Sequence, residues 1–113
     1  MNLEEIKTLE KQYVMQTYAR NDLFLVKGQG CLLYDDQGSS YIDMTSGIGV
    51  NCLGHNHPAL VEALHDQSQK LMHTSNLYYT EPMVQVAKEL VESTGMSKVF
   101  FANSGAEANE GVI

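Results

Sequence analysis

The sequence predicts an α/β protein in which an N-terminal helix and a small antiparallel meander precede further helices and a buried strand. Three short strand-like runs lie close together between turn residues, whereas prolines introduce helical patterns in the second half. Near residue 100, a continuous apolar run leads through small residues into a helix start, which is typical of a parallel sheet covered by helices. These observations together define the fold class.

The first predicted element is a surface helix over about residues 2–18. Apolar residues recur there at helical spacing among charged ones: Leu3, Ile6, Leu9, Tyr13 and Val14. We expect one stripe of this helix to be buried.

The next predicted elements are three strands, over residues 23–26, 31–34 and 41–44. Gly28 and Gly30 separate the first two, and the turn cluster at residues 35–38 separates the second from the third. Such short connections favour a small antiparallel meander.

Two prolines predict the starts of the next helices. Pro58 and Pro82 each stand where the missing N–H of a first helical turn costs nothing, and Thr80 precedes the second as an N-cap. Gly95 is placed to end that second helix. A buried strand is then predicted over residues 98–102, because residues 99–101 form a continuous apolar run.

The last predicted element is a helix beginning at Gly105. Ser104 and Glu107 have the spacing of a capping box, so the Glu107 carboxylate is expected to accept from the Ser104 N–H. The chain reaches Ile113 without a C-terminal cap, and we expect it to be a segment that ends within this helix.

Composition excludes several classes of partner. A net charge of −7 and seven scattered cationic residues argue against binding a nucleic-acid backbone. The N-terminus lacks a basic region followed by an apolar one, and no apolar run approaches the roughly 20 residues of a membrane span. We therefore expect a cytoplasmic protein, with Cys31 and Cys52 as free thiols.

The turn before the last helix has the features of a phosphate site. Free backbone N–H groups and the helix dipole converge there, Gly105 permits close approach, and Ser104 adds a hydroxyl. The same residues also suit a helix cap without any ligand, because capping boxes are common. Spacing by itself leaves both interpretations open.

The chain resembles class III, fold type I pyridoxal-phosphate (PLP) aminotransferases over essentially its whole length. The segments that carry the resemblance are VKGQG, YIDMTSGIGVNCLGHNHPALVEAL, HTSNLYYTEP and FFANSGAEANEGVI, in the order of the family. The resemblance implies an N-terminal segment over residues 1–57 and the beginning of the large PLP-binding domain over residues 58–113.

The resemblance also implies roles for individual residues. Gly105 and Ala106 would donate backbone N–H groups to the PLP phosphate, with Ser104 beside them. Ile48 would shape the substrate pocket. Tyr18 would hold a substrate carboxylate, although a tyrosine that simply packs its ring gives the same pattern. The family's catalytic lysine, its acidic partner of the pyridinium nitrogen and its main carboxylate-binding arginine come later in the chain, so we assign no catalytic residue here.

Within the family, GIGVNCLGHNHP, SNLYYTEP and NSGAEANEG are most similar to the branch that transfers the amino group of N2-acetylornithine to 2-oxoglutarate in arginine biosynthesis. Ornithine aminotransferases usually carry an aromatic residue where Ile48 stands. Succinylornithine, succinyldiaminopimelate, ornithine and 4-aminobutyrate remain alternative donors. The resemblance further implies a homodimer in the full-length enzyme and an inactive isolated segment.

Two other functional classes are compatible with the residues. Cys52, His55 and His57 form a C-x-x-H-x-H cluster with soft metal ligands, but a fourth ligand is not evident and His57-Pro58 suits a helix entry, so we expect no metal. A free-standing phosphate-binding module is the second alternative. It predicts cooperative unfolding of the isolated chain, with a stability that rises when phosphate is added.

Overall fold

The structure, a computed structural model, describes all residues from Met1 to Ile113 and contains four helices and one three-stranded sheet. In chain order the elements are α1 (Leu3–Tyr13), β1 (Leu25–Gln29), β2 (Leu32–Asp35), β3 (Ser40–Ile42), α2 (Pro58–Ser68), α3 (Glu81–Thr94) and α4 (Gly105–Val112). The chain divides into two compact units, Met1–Met72 and His73–Ile113. The predicted boundary at residue 57 between an N-terminal segment and a larger domain of the whole protein stays a prediction.

Helix α1 ends at Tyr13, so the predicted extension to residue 18 is wrong. Val14 is already extended (φ −112°, ψ 132°). The Gln16 side-chain amide donates to the Glu10 and Val14 carbonyl oxygens at 3.3 and 2.9 Å. The bond to Val14 satisfies a carbonyl that a longer helix would have paired itself, whereas the Glu10 carbonyl already accepts from the Val14 N–H at 2.8 Å. Both carbonyls are therefore paired where the helix ends, although no glycine caps it.

The predicted antiparallel meander is confirmed, with strand order β1-β2-β3. Leu25 pairs with Asp35 and Gln29 with Leu32 in the first hairpin. The strands start and end one to three residues away from their predicted bounds. In the second hairpin, the Asp35 carboxylate accepts from the N–H groups of Gln37 and Ser39 at 3.0 and 2.8 Å, which closes the turn.

The proline-initiated helices are also confirmed. Pro58 lies at the start of α2, and Thr80 is the N-cap residue of α3, although its hydroxyl makes no capping hydrogen bond. Gly95 ends α3 in the left-handed conformation (φ 74°), and its N–H donates to the Val91 carbonyl. A Cβ is disfavoured in this conformation, which explains the glycine.

The predicted buried strand over residues 98–102 does not form. No strand lies within His73–Ile113, so this apolar run has no neighbour with which to exchange backbone hydrogen bonds. Phe100 is 76% exposed and Phe101 47%. The apolar sequence of a buried parallel strand is present, but the sheet that would pair with it and cover it is not.

The apolar faces of the elements are largely open to solvent. No hydrophobic residue is buried, and the accessible surface is 10079 Å². A folded monomer of 12.6 kDa exposes about 6,200 Å², so about 3,900 Å² of additional surface is exposed here. This surface is suited to contact with further protein, because isolated soluble domains seldom expose so much apolar area.

Candidate active site

The N-terminus of α4 presents a set of unpaired backbone donors. Ser104 caps the helix from an extended conformation (φ −154°, ψ 160°), and its Oγ accepts from the Glu107 N–H at 3.2 Å. The Glu107 carboxylate accepts from the Asn103 N–H at 2.7 Å. The N–H groups between these two bonds, at Ser104, Gly105 and Ala106, have no acceptor within the chain.

The observed partner of Glu107 corrects the predicted one, which was the Ser104 N–H. Successive N–H groups of an extended backbone point in opposite directions, so a carboxylate bonded to the Asn103 N–H does not also meet that of Ser104. The Ser104 N–H therefore joins those of Gly105 and Ala106 as a free donor.

This helix start fits an anionic group such as a phosphate. A Cβ added to Gly105 would meet no atom within 4 Å, so the space beside the free donors is open. Consecutive N–H groups at a helix N-terminus, together with the positive end of the helix dipole, stabilise a bound oxyanion. The Glu107 carboxylate is already held by the Asn103 N–H.

A second feature, the loop between β3 and α2, contains a left-handed run. Ser46, Gly47, Ile48 and Gly49 have φ values of 50°, 59°, 58° and 88°. The N–H groups of Ile48 and Gly49 donate to the carbonyl oxygens of Thr45 and Ser46 at 2.8 and 3.1 Å. These turn bonds make the run a compact, defined conformation.

Ile48 combines this backbone conformation with an unusual side-chain environment. A β-branched residue at positive φ is an outlier that costs on the order of 1 to 2 kcal/mol. The Ile48 side chain gains no burial in return within this chain, since the residue is 97% exposed. Such strain is concentrated at functional sites, which makes this loop the second candidate site feature.

Tyr18 lies in the segment that follows α1. It is 76% exposed, and the Arg20 guanidinium lies 5.9 Å from the centroid of its ring. Arg20 is itself paired with the Glu10 carboxylate at 2.6 Å. The Tyr18 hydroxyl has no hydrogen-bond partner within the chain, so it is available to a ligand.

Asp43 and His55, in the loop between β3 and α2, were not predicted to position the site, but the structure brings them together. The Asp43 carboxylate, 5% exposed, lies 2.7 Å from His55 Nε2. This bond, and further ones from Thr45 and Ser46, lower the Asp43 pKa to about 2. The predicted third strand, residues 41–44, included Asp43, and the turn-forming T-S-G that begins two residues later was the available clue.

The same contact bears on the metal-ligand interpretation of Cys52, His55 and His57. His55 uses its Nε2 for Asp43 rather than sharing a ligand position with the other two. No three His, Cys, Asp or Glu side chains are gathered in an arrangement that holds a metal ion. Cys31 and Cys52 are free thiols, as predicted.

No helix of the structure has the length and apolarity that a bilayer span requires.

The predicted site residues are distributed over both compact units. Tyr18 and Ile48 lie in Met1–Met72, and the donors at Ser104, Gly105 and Ala106 lie in His73–Ile113. Only the last three are neighbours in one local structure.

Comparison with known proteins identifies the family. Residues 13–113 match the family Aminotransferase class-III. This match spans most of the chain, and the chain belongs to the class III aminotransferases.

Two curated relatives show which kinds of aminotransferase the chain is similar to. The chain is 56% identical over 113 residues to an acetylornithine aminotransferase of Haemophilus ducreyi, which covers all of this chain and 29% of that protein. It is 49% identical over 102 residues to a succinylornithine transaminase of Yersinia enterocolitica, which covers 90% of this chain and 25% of that protein. The chain thus spans less than a third of the length of these relatives.

A solved structure shows the same fold. The acetylornithine aminotransferase of Elizabethkingia anophelis superposes with a TM-score of 0.93 at 33% identity, over 99% of this chain and 29% of that one. The helices and the antiparallel sheet are therefore those of a fold type I aminotransferase, as the sequence resemblance predicted.

Proposed function

We propose that this chain forms the N-terminal part of a PLP-dependent transaminase that transfers the amino group of N2-acetylornithine to 2-oxoglutarate, a step of arginine biosynthesis. The observation that carries the proposal is the start of α4, where three consecutive N–H groups lie free beside open space in a class III aminotransferase chain. When bound, PLP supplies the electron sink that amino-group transfer requires.

In this proposal the start of α4 binds and orients the cofactor phosphate. Gly105 and Ala106 donate backbone N–H groups, and Ser104 contributes its N–H and sits at the rim with its hydroxyl. The hydroxyl already accepts from the Glu107 N–H, so its own proton remains free to donate. The phosphate thereby fixes the position of the cofactor without any charged side chain of this segment.

The other two proposed contacts concern the substrate. The exposed Ile48 side chain forms part of the pocket wall and excludes water from the aliphatic part of the amino donor. The unpaired Tyr18 hydroxyl donates to a substrate carboxylate. Neither residue moves a proton in the reaction, and we assign the catalytic lysine to the remainder of the full-length enzyme.

The identity of the amino donor is tested by steady-state kinetics of the full-length enzyme. We expect kcat/KM for N2-acetylornithine to exceed that for ornithine and 4-aminobutyrate by at least about tenfold, because the site must bury the acylated end of the donor. Succinylornithine is the informative competitor, since a succinylornithine transaminase is 49% identical to this chain. If kcat/KM were higher for succinylornithine, that compound would replace N2-acetylornithine as the proposed amino donor. If the enzyme turned over none of these four compounds, the proposed transaminase activity would be contradicted.

Replacing Tyr18 with phenylalanine in the full-length enzyme should raise KM for the amino donor by about tenfold, since loss of a hydrogen bond to a charged group costs about 1 to 3 kcal/mol. PLP affinity should be unchanged. Tyr13→Phe, on α1 and 74% exposed, is the matched control. Equal kinetics of the two variants would assign Tyr18 to packing alone.

We also propose that the full-length enzyme is a cytoplasmic homodimer. The segment Leu77, Tyr78 and Tyr79 supports the dimer, because these large side chains are 83%, 67% and 98% exposed. Exposed aromatic side chains of this kind are enriched at protein interfaces.

A further inference from the structure

One carboxylate accepts several hydrogen bonds at the start of the loop that carries Ile48, which Asn51 also closes through its N–H, donated to the Ser46 carbonyl at 2.9 Å. Asp43 Oδ1 accepts from the Thr45 N–H at 3.0 Å, the Thr45 hydroxyl at 2.9 Å and the Ser46 N–H at 2.8 Å. Three donors on one oxygen fix the backbone at the residue where the left-handed run begins. The second oxygen, Oδ2, is left for His55, at 2.7 Å.

His55 connects this carboxylate to the sheet. Its backbone exchanges two hydrogen bonds with Gly30, of 2.9 and 2.8 Å, just beyond the end of β1. Its ring lies against Gly28, where an added Cβ would approach the ring Cγ to 2.5 Å. The position of the His55 ring is therefore determined by β1, and it leaves room for no side chain at residue 28.

These contacts explain how an unfavourable conformation persists. A strained residue keeps its backbone angles only where its surroundings over-determine them. The neighbours of Ile48 in sequence are small, and its side chain is exposed, so packing within this chain does not hold it. Hydrogen bonds to an ionised carboxylate are stronger than neutral ones, and Asp43 supplies them at the start of the run.

We propose that Asp43 and His55 form a positioning pair that holds Ser46–Gly49 in its left-handed conformation and so presents Ile48 to the amino donor. This inference rests on the proposed function for its substrate, but the conformation of the loop is independent of it. Neither residue touches substrate or cofactor in this proposal. Their effect on the reaction passes through the placement of Ile48.

The first test uses two substitutions in the full-length enzyme. Asp43→Asn retains the oxygen that accepts from Thr45 and Ser46 but removes the charge and the acceptor for the Nε2–H of His55. His55→Phe retains a flat ring against Gly28 and removes the ring nitrogens. We expect each to raise KM for the amino donor by about tenfold, with PLP affinity unchanged.

Matched controls make the same chemical changes elsewhere in the chain. Asp36 accepts one side-chain bond, from Gln37 at 3.0 Å, and His65 pairs with Gln69 on the surface of α2 at 2.7 Å. Asp36→Asn and His65→Phe should leave KM within about twofold of the unsubstituted enzyme. If these controls raised KM as much as the test variants, the effect would be a general one and the proposal would be overturned.

The second test is a double-mutant cycle with Ile48→Gly. Glycine adopts positive φ without strain, so a loop with glycine at residue 48 no longer needs the positioning pair. We expect Asp43→Asn to add no more than about a twofold rise in KM when Ile48→Gly is already present. A full tenfold rise in that background would show that Asp43 does not act through Ile48.

A readout without substrate separates this proposal from the proposed function. The methyl resonances of Ile48 in the full-length protein should shift and broaden in Asp43→Asn and His55→Phe, and not in the two controls. If no donor is turned over yet these resonances respond as expected, the transaminase proposal fails and the positioning pair stands. Unchanged Ile48 resonances in both test variants would overturn the positioning pair, whatever the activity.

Discussion

Replacing Gly105 with valine in the full-length enzyme should lower PLP affinity by at least a hundredfold while leaving the fold intact. The added side chain would enter the open space beside the free N–H groups and exclude the phosphate from charge-assisted hydrogen bonds worth about 1.5 to 3 kcal/mol each. It would meet no atom of the chain within 4 Å at its Cβ, and valine in a helix costs less than about 1 kcal/mol.

Asn109→Val provides the control for this substitution, because it introduces the same side chain one turn later in α4. Titration of the apoenzyme with PLP, followed by absorbance, measures both affinities, and thermal unfolding of the apoenzymes measures the fold. If the two variants bound PLP with equal affinity, the assignment of the phosphate site to the start of α4 would be wrong. A large fall in melting temperature for Gly105→Val alone would instead show that residue 105 is constrained by the fold.

The 113-residue chain by itself should show no transaminase turnover and no preferred lysine for reaction with PLP. A lysine that reacts with a carbonyl needs a lowered pKa, and burial or a neighbouring cation provides it. Lys7 is instead paired with the Asp22 carboxylate at 2.8 Å, and this hydrogen bond raises its pKa. Lys88 lies on the surface of α3, 3.7 Å from Glu92.

Borohydride reduction of the chain with PLP, followed by mass spectrometry, measures this outcome. We expect sparse labelling distributed over the exposed lysines and no glutamate formation. Because no hydrophobic residue is buried, we also expect the isolated chain to aggregate at high concentration. Stoichiometric labelling of one lysine together with turnover would contradict the assignment of the catalytic lysine to another part of the enzyme. Labelling of the unfolded chain in denaturant supplies the control for intrinsic lysine reactivity.

Local chemistry made much of the fold predictable. Pro58 fixes the start of α2 and Gly95 the end of α3, because each residue type suits one position of a helix end. Ser104 caps α4 for a similar reason. The turn residues between the strands predicted the meander, since short connections join antiparallel neighbours.

Other predictions failed where the outcome depends on a distant part of the chain. The run over residues 98–102 has the composition of a buried strand, but a strand exists only with a partner, and composition does not supply one. At the end of α1, Gln16 and Arg20 return to the Glu10 carboxylate from beyond the helix, at 2.7 and 2.6 Å. The spacing of apolar residues in a helix contains no information about contacts with residues that follow the helix.

The sequence by itself determined the starts of α2, α3 and α4, the end of α3, the antiparallel hairpins and the small-residue turn before α4, because these depend on the φ preferences and hydrogen-bonding groups of neighbouring residues. Its resemblance to known segments also determined the family. Only the tertiary structure decided that Asp43 meets His55, twelve residues later, and that Gly28 makes room for the His55 ring. It also decided that Ile48 occupies a strained conformation. The physical reason is that such contacts form when the chain folds back on itself, and their energies depend on distances that the order of residues does not specify.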